Sequence, residues 1–245
     1  MKRISILLAA LLLAASCSQG PSRLVLATYN LHHCEPDAGG DRNYEAQAAI
    51  IRELGPDVIA LQELDSCNAR SPEFQAEVLA ELCGMKYLYH RTIPFGGGSY
   101  GIGMMYKPSL ELIRSDFIPL PGKEPRGALI AEFDRLIYVS THFCFQAAEN
   151  RQASIDTLTG ILKGAIDKPV FLAGDLNATD IPQIAPDWEE FSTGEDTFGH
   201  SGHSGRIDYI LKLRGSKAKL KSTRVITKAD GLSDHLPVVS EVKVR

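Results

Sequence analysis

Six short polar motifs each close an apolar, strand-like run in this chain. They are Thr28-Tyr29-Asn30, Leu61-Gln62-Glu63, Ser140-Thr141-His142, Gly174-Asp175-Leu176-Asn177, Arg206-Ile207-Asp208-Tyr209 and Ser233-Asp234-His235. A fold that ends strand after strand in an acid, an amide or an imidazole is one whose strand ends converge on a polar pocket. Six such ends could supply a metal ligand, a base, a charge clamp and an orienting amide. Any one motif alone is weak; the ordered set is specific.

The runs between the motifs alternate between strand and helix patterning. Arg23 to Tyr29 reads as the first strand, and 41–54 as a helix with Tyr44, Ala48, Ile51 and Leu54 at helical spacing. Gly55-Pro56 stops that helix before the buried strand 58–61. A second helix is expected over 72–82. Strand-like pieces follow at 86–90, 100–106, 109–118, 127–133 and 135–141, the last two forming a hairpin that turns at Asp134-Arg135. A third helix is expected over 149–166, with Ile155, Leu158, Ile161, Leu162 and Ile166 on one face. A strand at 169–173 follows, then a segment at 178–205 that reads mostly as loop anchored by Trp188 and Phe191. Strands at 207–213, 218–227 and 237–244 close the chain. Strands outnumber helices and long helices lie between them, which favours two sheets packed face to face with helices outside. With 245 residues, 44% of them hydrophobic, one sizeable core is affordable, and no linker divides residues 22–245.

The polar ends suit phosphate-ester chemistry. Such esters resist attack because the phosphoryl group is already negative, so catalysis needs an activated water and positive charge or donors on its oxygens. Glu63 follows a buried strand, where a carboxylate needs a cation or a basic partner; taken alone it could equally serve a salt bridge. Carboxylates without a Cys/His cluster favour a hard ion such as Mg²⁺, Mn²⁺ or Ca²⁺. Asp175 and Asn177 are spaced to point the same way along a strand, although this pattern also makes Asx-turns. Asp208 can fix the tautomer of the His235 imidazole. Asp234 could hold the metal while His235 faces substrate, and His142 would be a second imidazole on the phosphoryl group.

On these residues the chain resembles the endonuclease/exonuclease/phosphatase superfamily, in motif order from about residue 23 to 243. The resemblance implies an α/β fold, a four-layer α-β-β-α sandwich of two mostly antiparallel sheets, and a divalent-metal-dependent phosphoesterase. Within it, Glu63 is the main metal ligand, assisted by Asn30 and Asp234. His235 with Asp208 is the base or transition-state stabiliser, Asp175 and Asn177 orient water and phosphate, and His142 is a phosphate-site histidine; whether Asp175 or His235 is the base stays open. Arg126 and Tyr100 resemble substrate-side residues of small bacterial members. Arg70 is either a phosphate contact or a surface arginine, and of His32 and His33 one is expected at the pocket rim and the other in packing. Nucleic acid, a lipid head group or a small molecule all remain substrate classes, and a catalytically dead binding module is the alternative to an enzyme.

The N-terminus is expected to lie outside this domain. Lys2 and Arg3 precede the apolar run 4–15, which ends in small residues at Cys17, the pattern of a secretory signal. Ala14-Ala15-Ser16-Cys17 is similar to a bacterial lipobox, with Ala14 where a leucine is usual. The implied layout is a signal peptide at 1–16, lipidation at Cys17, a tether at 17–22, and one domain from 23 to 245. The implied place is the cell envelope, with simple secretion as the alternative, and a monomer is expected. Loss of residues 1–16 takes away Lys2 and Arg3 and leaves 24 basic against 30 acidic side chains, a charge of −6. Within 206–228 there are eight basic residues and one acid, Asp208, a stripe that could meet a polyanion or an anionic membrane or merely be a solvated hairpin. In an oxidising space Cys34 and Cys67 could be bridged; four free thiols are the other reading.

Overall fold

Alternating burial sets the layers. In the computed structural model, which describes residues 22–200 and 203–244, the first strand buries both its faces. Leu24 and Leu26 face one core while Ala27 and Tyr29 face another. A strand covered on both faces must lie inside a layered fold.

The first part of the chain comprises β1 (Ser22–Asn30), α1 (Tyr44–Leu54), β2 (Val58–Ser66), α2 (Gln75–Cys83), β3 (Lys86–Phe95) and β4 (Gly98–Tyr106). The second comprises β5 (Leu112–Leu120), β6 (Arg126–Phe133), β7 (Ile137–His142), α3 (Ala148–Leu162), β8 (Val170–Asp175), the single turn α4 (Ile181–Ile184), β9 (Trp188–Glu190), the hairpin β10 (Phe198–His200) and β11 (His203–Gly205), and β12 (Asp208–Leu213). β13 (Ala218–Val225) and β14 (Val238–Val244) then return to the first sheet. One six-stranded sheet has the order β13-β14-β1-β2-β4-β3 and the other β5-β6-β7-β8-β12-β9. Each has one parallel pair, β1–β2 and β7–β8, joined by α1 and α3 respectively; the other pairings are antiparallel.

Three cores separate four layers. Leu26, Ala60, Met104, Ala131, Tyr138, Phe171 and Ile210 fill the space between the sheets. Ile155, Leu158 and Leu162 of α3 cover the outer face of the second sheet, and Ala48, Ile51 and Leu79 of α1 and α2 cover that of the first. The result is the expected α-β-β-α sandwich.

Several boundaries differ from expectation for local reasons. α1 starts at Tyr44 because the Asn43 amide donates to the Cys34 carbonyl and its side chain to Leu232 O. It stops at Gly55, whose left-handed φ of 57° caps the last turn. α2 starts at Gln75 because Phe74 still pairs with Ser66 in a β-bridge. α3 ends at Leu162, so Ile166 lies beyond it; Ile161 and Ile166 are 49% and 44% exposed rather than on the buried face. The expected loop at 178–205 contains α4, β9, β10 and β11; three-residue strands are too short to show a period, and β9 is held by backbone pairing to β12. Cys34 is buried and Cys67 exposed, and both are free, as are Cys83 and Cys144. Residues 1–16 and Cys17 lie outside the described residues.

Candidate active site

The polar motifs continue the inner-face rows of the strands. In β1 the row Leu24, Leu26 runs on to Thr28 and Asn30. In β8 Phe171 and Ala173 lead to Asp175, in β7 Tyr138 leads to His142, and in β12 Ile210 leads back to Asp208. The inter-sheet layer therefore changes from hydrocarbon to polar at one end, where side chains from both sheets meet. They border an open cleft of about 370 Å³ whose walls include Glu63, Tyr100, Arg126, His142, Asp175, Asn177, Asp234 and His235.

Two backbone irregularities aim the carboxylates. The β2–β4 register slips between Leu61 and Leu64, and inside this bulge Glu63 takes a φ of +60°. A left-handed glutamate costs on the order of 1–3 kcal/mol, a strain that persists only where the surroundings enforce it. On the other sheet Gly174 has φ +151°, and a Cβ there would sit 1.9 Å from the Thr141 carbonyl oxygen. Glycine at this position lets β8 press against β7, so that Asp175 pairs in register with His142.

His235 is held at one ring nitrogen. Its Nδ1 lies 2.8 Å from Asp208 Oδ2, and its Nε2 lies 3.3 Å from Asn30 Nδ2 and 3.8 Å from Asp175 Oδ2. Burial works against a charged imidazole here, but Asp208, then Asp175 and Asp234, outweigh it and raise the His235 pKa. Asp208 is buried beneath the ring and also accepts the Thr197 hydroxyl at 2.6 Å; Thr197 in turn accepts the backbone amides of Ile207 and Asp208. Phe198 packs against the imidazole with ring centroids 4.9 Å apart.

His142 is fixed in the opposite charge state. Burial, then the Arg126 charge, lowers its pKa to about 3. Arg126, which cannot lose its proton, donates to His142 Nδ1 at 3.2 Å, so the ring hydrogen is on Nε2, facing Asp175 Oδ2 at 3.3 Å. Glu124 pairs with Arg126 at 2.9 Å. Asp175 accepts from Asn30 at 3.1 Å and from the Asn177 amide at 2.9 Å. Burial raises its pKa, the His235 charge opposes this, and Asp208 and Glu63 reinforce it.

Glu63 is the reverse case. Burial opposes its ionisation, yet the nearby His33, His142 and His235 imidazoles and the Asn30 amide hold its carboxyl well below the usual carboxylate range. Asn30 donates to Glu63 Oε1 at 3.1 Å, and His33 Nδ1 is 3.9 Å from Oε2. Among the described residues no lysine or arginine pairs with it. Among the described residues, a charged carboxylate facing a cleft without a lysine or arginine partner fits a hard cation, and Asp234 on the same wall adds a second oxygen donor. Asn30 fits less directly. Its Oδ1 accepts the His32 amide at 3.1 Å, which leaves Nδ2 facing the site. In this arrangement Asn30 donates to Glu63 and Asp175 rather than offering an oxygen. Asp175, Asp208 and His235 also lie close enough to hold an ion. The short Asp208–His235 pairing and the burial of all three suit proton handling better than ion binding.

The remaining residues separate clearly. Tyr100 and Arg126 border the cleft; burial and the Glu63 charge push the Tyr100 hydroxyl pKa up, with Arg126 opposing. Arg70 does not reach the cleft wall. It forms a two-pronged pair with buried Asp65 at 2.7 and 2.9 Å and lies over Phe95 and Tyr100. Asn177 borders the cleft, but not by strand alternation: β8 ends at Asp175, Asn177 takes φ +49°, and its amide donates to Phe143 O. Arg206 is structural in its contacts, pairing with Glu190 and lying over Tyr209. His33 is mostly buried and packs against His32. Thr197 and Glu124 escaped sequence reading because they sit in irregular segments, and Phe198 because its three-residue strand is too short to show a period.

A family model described as Endonuclease/Exonuclease/phosphatase family matches residues 27–235. No curated protein sequence matches the chain. Among solved structures it is similar to an endonuclease/exonuclease/phosphatase from Beutenbergia cavernae, at 22% identity and TM-score 0.74, covering 91% of this chain and 72% of that one. It is similar to a Bacteroides thetaiotaomicron mannosyl-6-phosphatase at 17% identity and TM-score 0.66, covering 89% and 99%. It is also similar to ANGEL2, a 2',3'-cyclic phosphatase, at 12% identity and TM-score 0.72, covering 92% and 96%.

Proposed function

Because the chain belongs to the endonuclease/exonuclease/phosphatase family, whose members hydrolyse phosphate esters and generally use divalent metals, we propose that it is a Mg²⁺-dependent phosphodiesterase. Mn²⁺ and Ca²⁺ are the alternative ions. The observation that carries this reading is the meeting of Glu63, Asp175 and the Asp208–His235 pair around one buried amide, Asn30, at the foot of an open cleft.

A divalent ion on Glu63 and Asp234 would supply positive charge to the phosphoryl oxygens. This chain's own residues do the rest. Asp175, with its raised pKa, is suited to take a proton from water, held in line by Asn30, Asn177 and the Nε2–H of His142. His235, kept protonated by Asp208, faces the growing negative charge of the transition state. Among the described residues Arg126 is the one permanent cation on the cleft wall, and Glu124 partly neutralises it. That modest positive charge suits a monoanionic diester better than a dianionic monoester.

A phosphomonoesterase is the second reading, favoured by the fold shared with the mannosyl-6-phosphatase. A lipid head-group or sphingomyelin-type diester is a third substrate class, and nucleic acid a fourth. Export with lipidation at Cys17 and residence in the cell envelope belong to the same proposal, supported by the 1–17 sequence pattern, and a monomeric state is proposed with them. The test is release from a chromogenic phosphodiester, plasmid DNA, sphingomyelin and sugar phosphates with Mg²⁺ and with chelator. Turnover of a diester that stops in chelator is expected; turnover confined to monoesters would move the assignment.

A further inference from the structure

The far end of β1 carries a surface the proposed chemistry does not use. β1 starts at Ser22, which pairs with Val244, and Val244 also pairs with Ala218 of the edge strand β13. One residue further, Arg23, Lys243 and Lys219 form a row across β1, β14 and β13. Lys217, Lys219, Lys221 and Lys243 border a shallow groove of about 280 Å³ at this edge. All four are exposed, and none has an acidic partner among the described residues; Arg23, by contrast, pairs with Glu241. Leu220, between two of these lysines, is 37% exposed. The 206–228 stripe is thus not uniformly solvated. Arg206, Lys212 and Lys228 are tied to Glu190, Glu189 and Glu53, while the β13–β14 edge keeps free ammonium groups around an apolar side chain.

We propose that this edge docks on the anionic surface of the membrane that holds the chain's N-terminus, and that the catalytic cleft faces away from that membrane. The inference rests on the lipoprotein reading of Cys17 for the tether and on the charged edge for the surface. From Cys17 to Ser22 are five residue steps, at most ~18 Å of chain, so a lipidated Cys17 keeps the Ser22 edge within that reach of the bilayer. From Ser22 to Asn30 are eight strand steps, about 26 Å at the usual rise, so the cleft lies at the opposite end of β1. Lysines beside an exposed leucine suit a headgroup layer, where each ammonium near an anionic leaflet strengthens partition roughly fivefold. In this orientation the substrate is soluble, and the lipids of the anchoring leaflet are out of reach.

The test is sedimentation of the full chain with vesicles of phosphatidylglycerol and phosphatidylethanolamine, or of phosphatidylcholine alone, at low and high salt. At least tenfold stronger binding to the anionic vesicles is expected, weakening with salt. The preference should disappear in a variant carrying Lys217→Glu, Lys219→Glu, Lys221→Glu and Lys243→Glu. The same four positions changed to Gln should give an intermediate loss and guard against misfolding. Turnover of a soluble chromogenic diester should be unchanged in both variants, while vesicle phospholipid is not cleaved. Equal binding to both vesicles, a preference that survives charge reversal, stronger binding to duplex DNA than to anionic vesicles through these lysines, or cleavage of the anchoring lipids would overturn the proposal. Vesicle binding needs no catalysis, so its outcome is separate from that of the phosphodiesterase reading.

Discussion

The two sheets deliver the same unit to the cleft with opposite electrostatics. In one, β1-α1-β2 presents Asn30 at a strand end and Glu63 from the β2 bulge; in the other, β7-α3-β8 ends in His142 and Asp175. Both are parallel pairs under a helix, and both bend the backbone sharply at the working carboxylate. Yet Glu63 is held ionised while the Asp175 pKa is pushed upward. The difference lies in the neighbours. Glu63 is favoured as an anion, against burial, by the Asn30 amide and the nearby imidazoles, whereas burial, reinforced by the Asp208 and Glu63 charges, outweighs the donors and the His235 charge that act on Asp175. Two carboxylates whose environments push their pKa values apart mark a division of labour: one for a cation, one for a proton.

Removing one side of this pair should have the largest effect. Glu63→Gln keeps the shape and loses the charge, and kcat/KM should fall by a factor of roughly a hundred or more with the fold intact by circular dichroism. Steady-state rates across a Mg²⁺ series would check it; wild-type turnover in the variant would remove Glu63 from the metal role. The His235–Asp208 unit should follow. His235→Ala and Asp208→Ala should each cost a factor of roughly a hundred, the range of general acid–base catalysis, and the double variant should be barely worse than His235→Ala alone. Losses that multiply would instead make Asp208 a purely structural carboxylate.

Smaller effects separate the two backbone devices. Gly174→Ala places a Cβ against Thr141 O and should lower stability by on the order of 3 kcal/mol or more, read as a fall in Tm. Glu63→Gly relieves a left-handed residue and should raise stability by up to about 1 kcal/mol while abolishing activity. A pH series on metal-free protein gives the finest contrast. The His142 pKa is depressed, so the stability it contributes is present above its unfolded value near 6.5 and is lost as pH falls toward about 3. Glu63, also depressed, adds to that acid-side loss. Asp175 and His235 are raised, so their contribution is present at low pH and lost as pH rises through their folded values. His142→Gln should flatten the slope between pH 6.5 and 3 in urea titrations; an unchanged slope would mean His142 is charged in the folded state.

Much of this was legible because the pattern is periodic. Inner-face rows that end in Asn30, His142, Asp175 and Asp208 announce themselves as polar residues at the ends of alternating strands. What periodicity cannot show is a break in itself. The bulge at Glu63, the left-handed Asn177 and the close approach at Gly174 come from register between strands distant in sequence. Arg70 could be read equally as a phosphate contact or a surface arginine, and its pairing with buried Asp65 cannot be seen from the sequence. Thr197 and Phe198 support His235 from a loop and a three-residue strand too short to carry a signal of their own.

The most direct test of the two-carboxylate division is Mn²⁺ binding by calorimetry to wild type, Glu63→Gln and Asp175→Asn, with no substrate present. Glu63→Gln is expected to weaken binding at least roughly tenfold, the usual cost of losing a metal-site group. Asp175→Asn is expected to leave it within about threefold of wild type, since that variant removes a proton acceptor and not a ligand. The contradictory result is the reverse order, in which Asp175→Asn abolishes binding and Glu63→Gln spares it. The buried Asp175, Asp208 and His235 group would then be the metal centre.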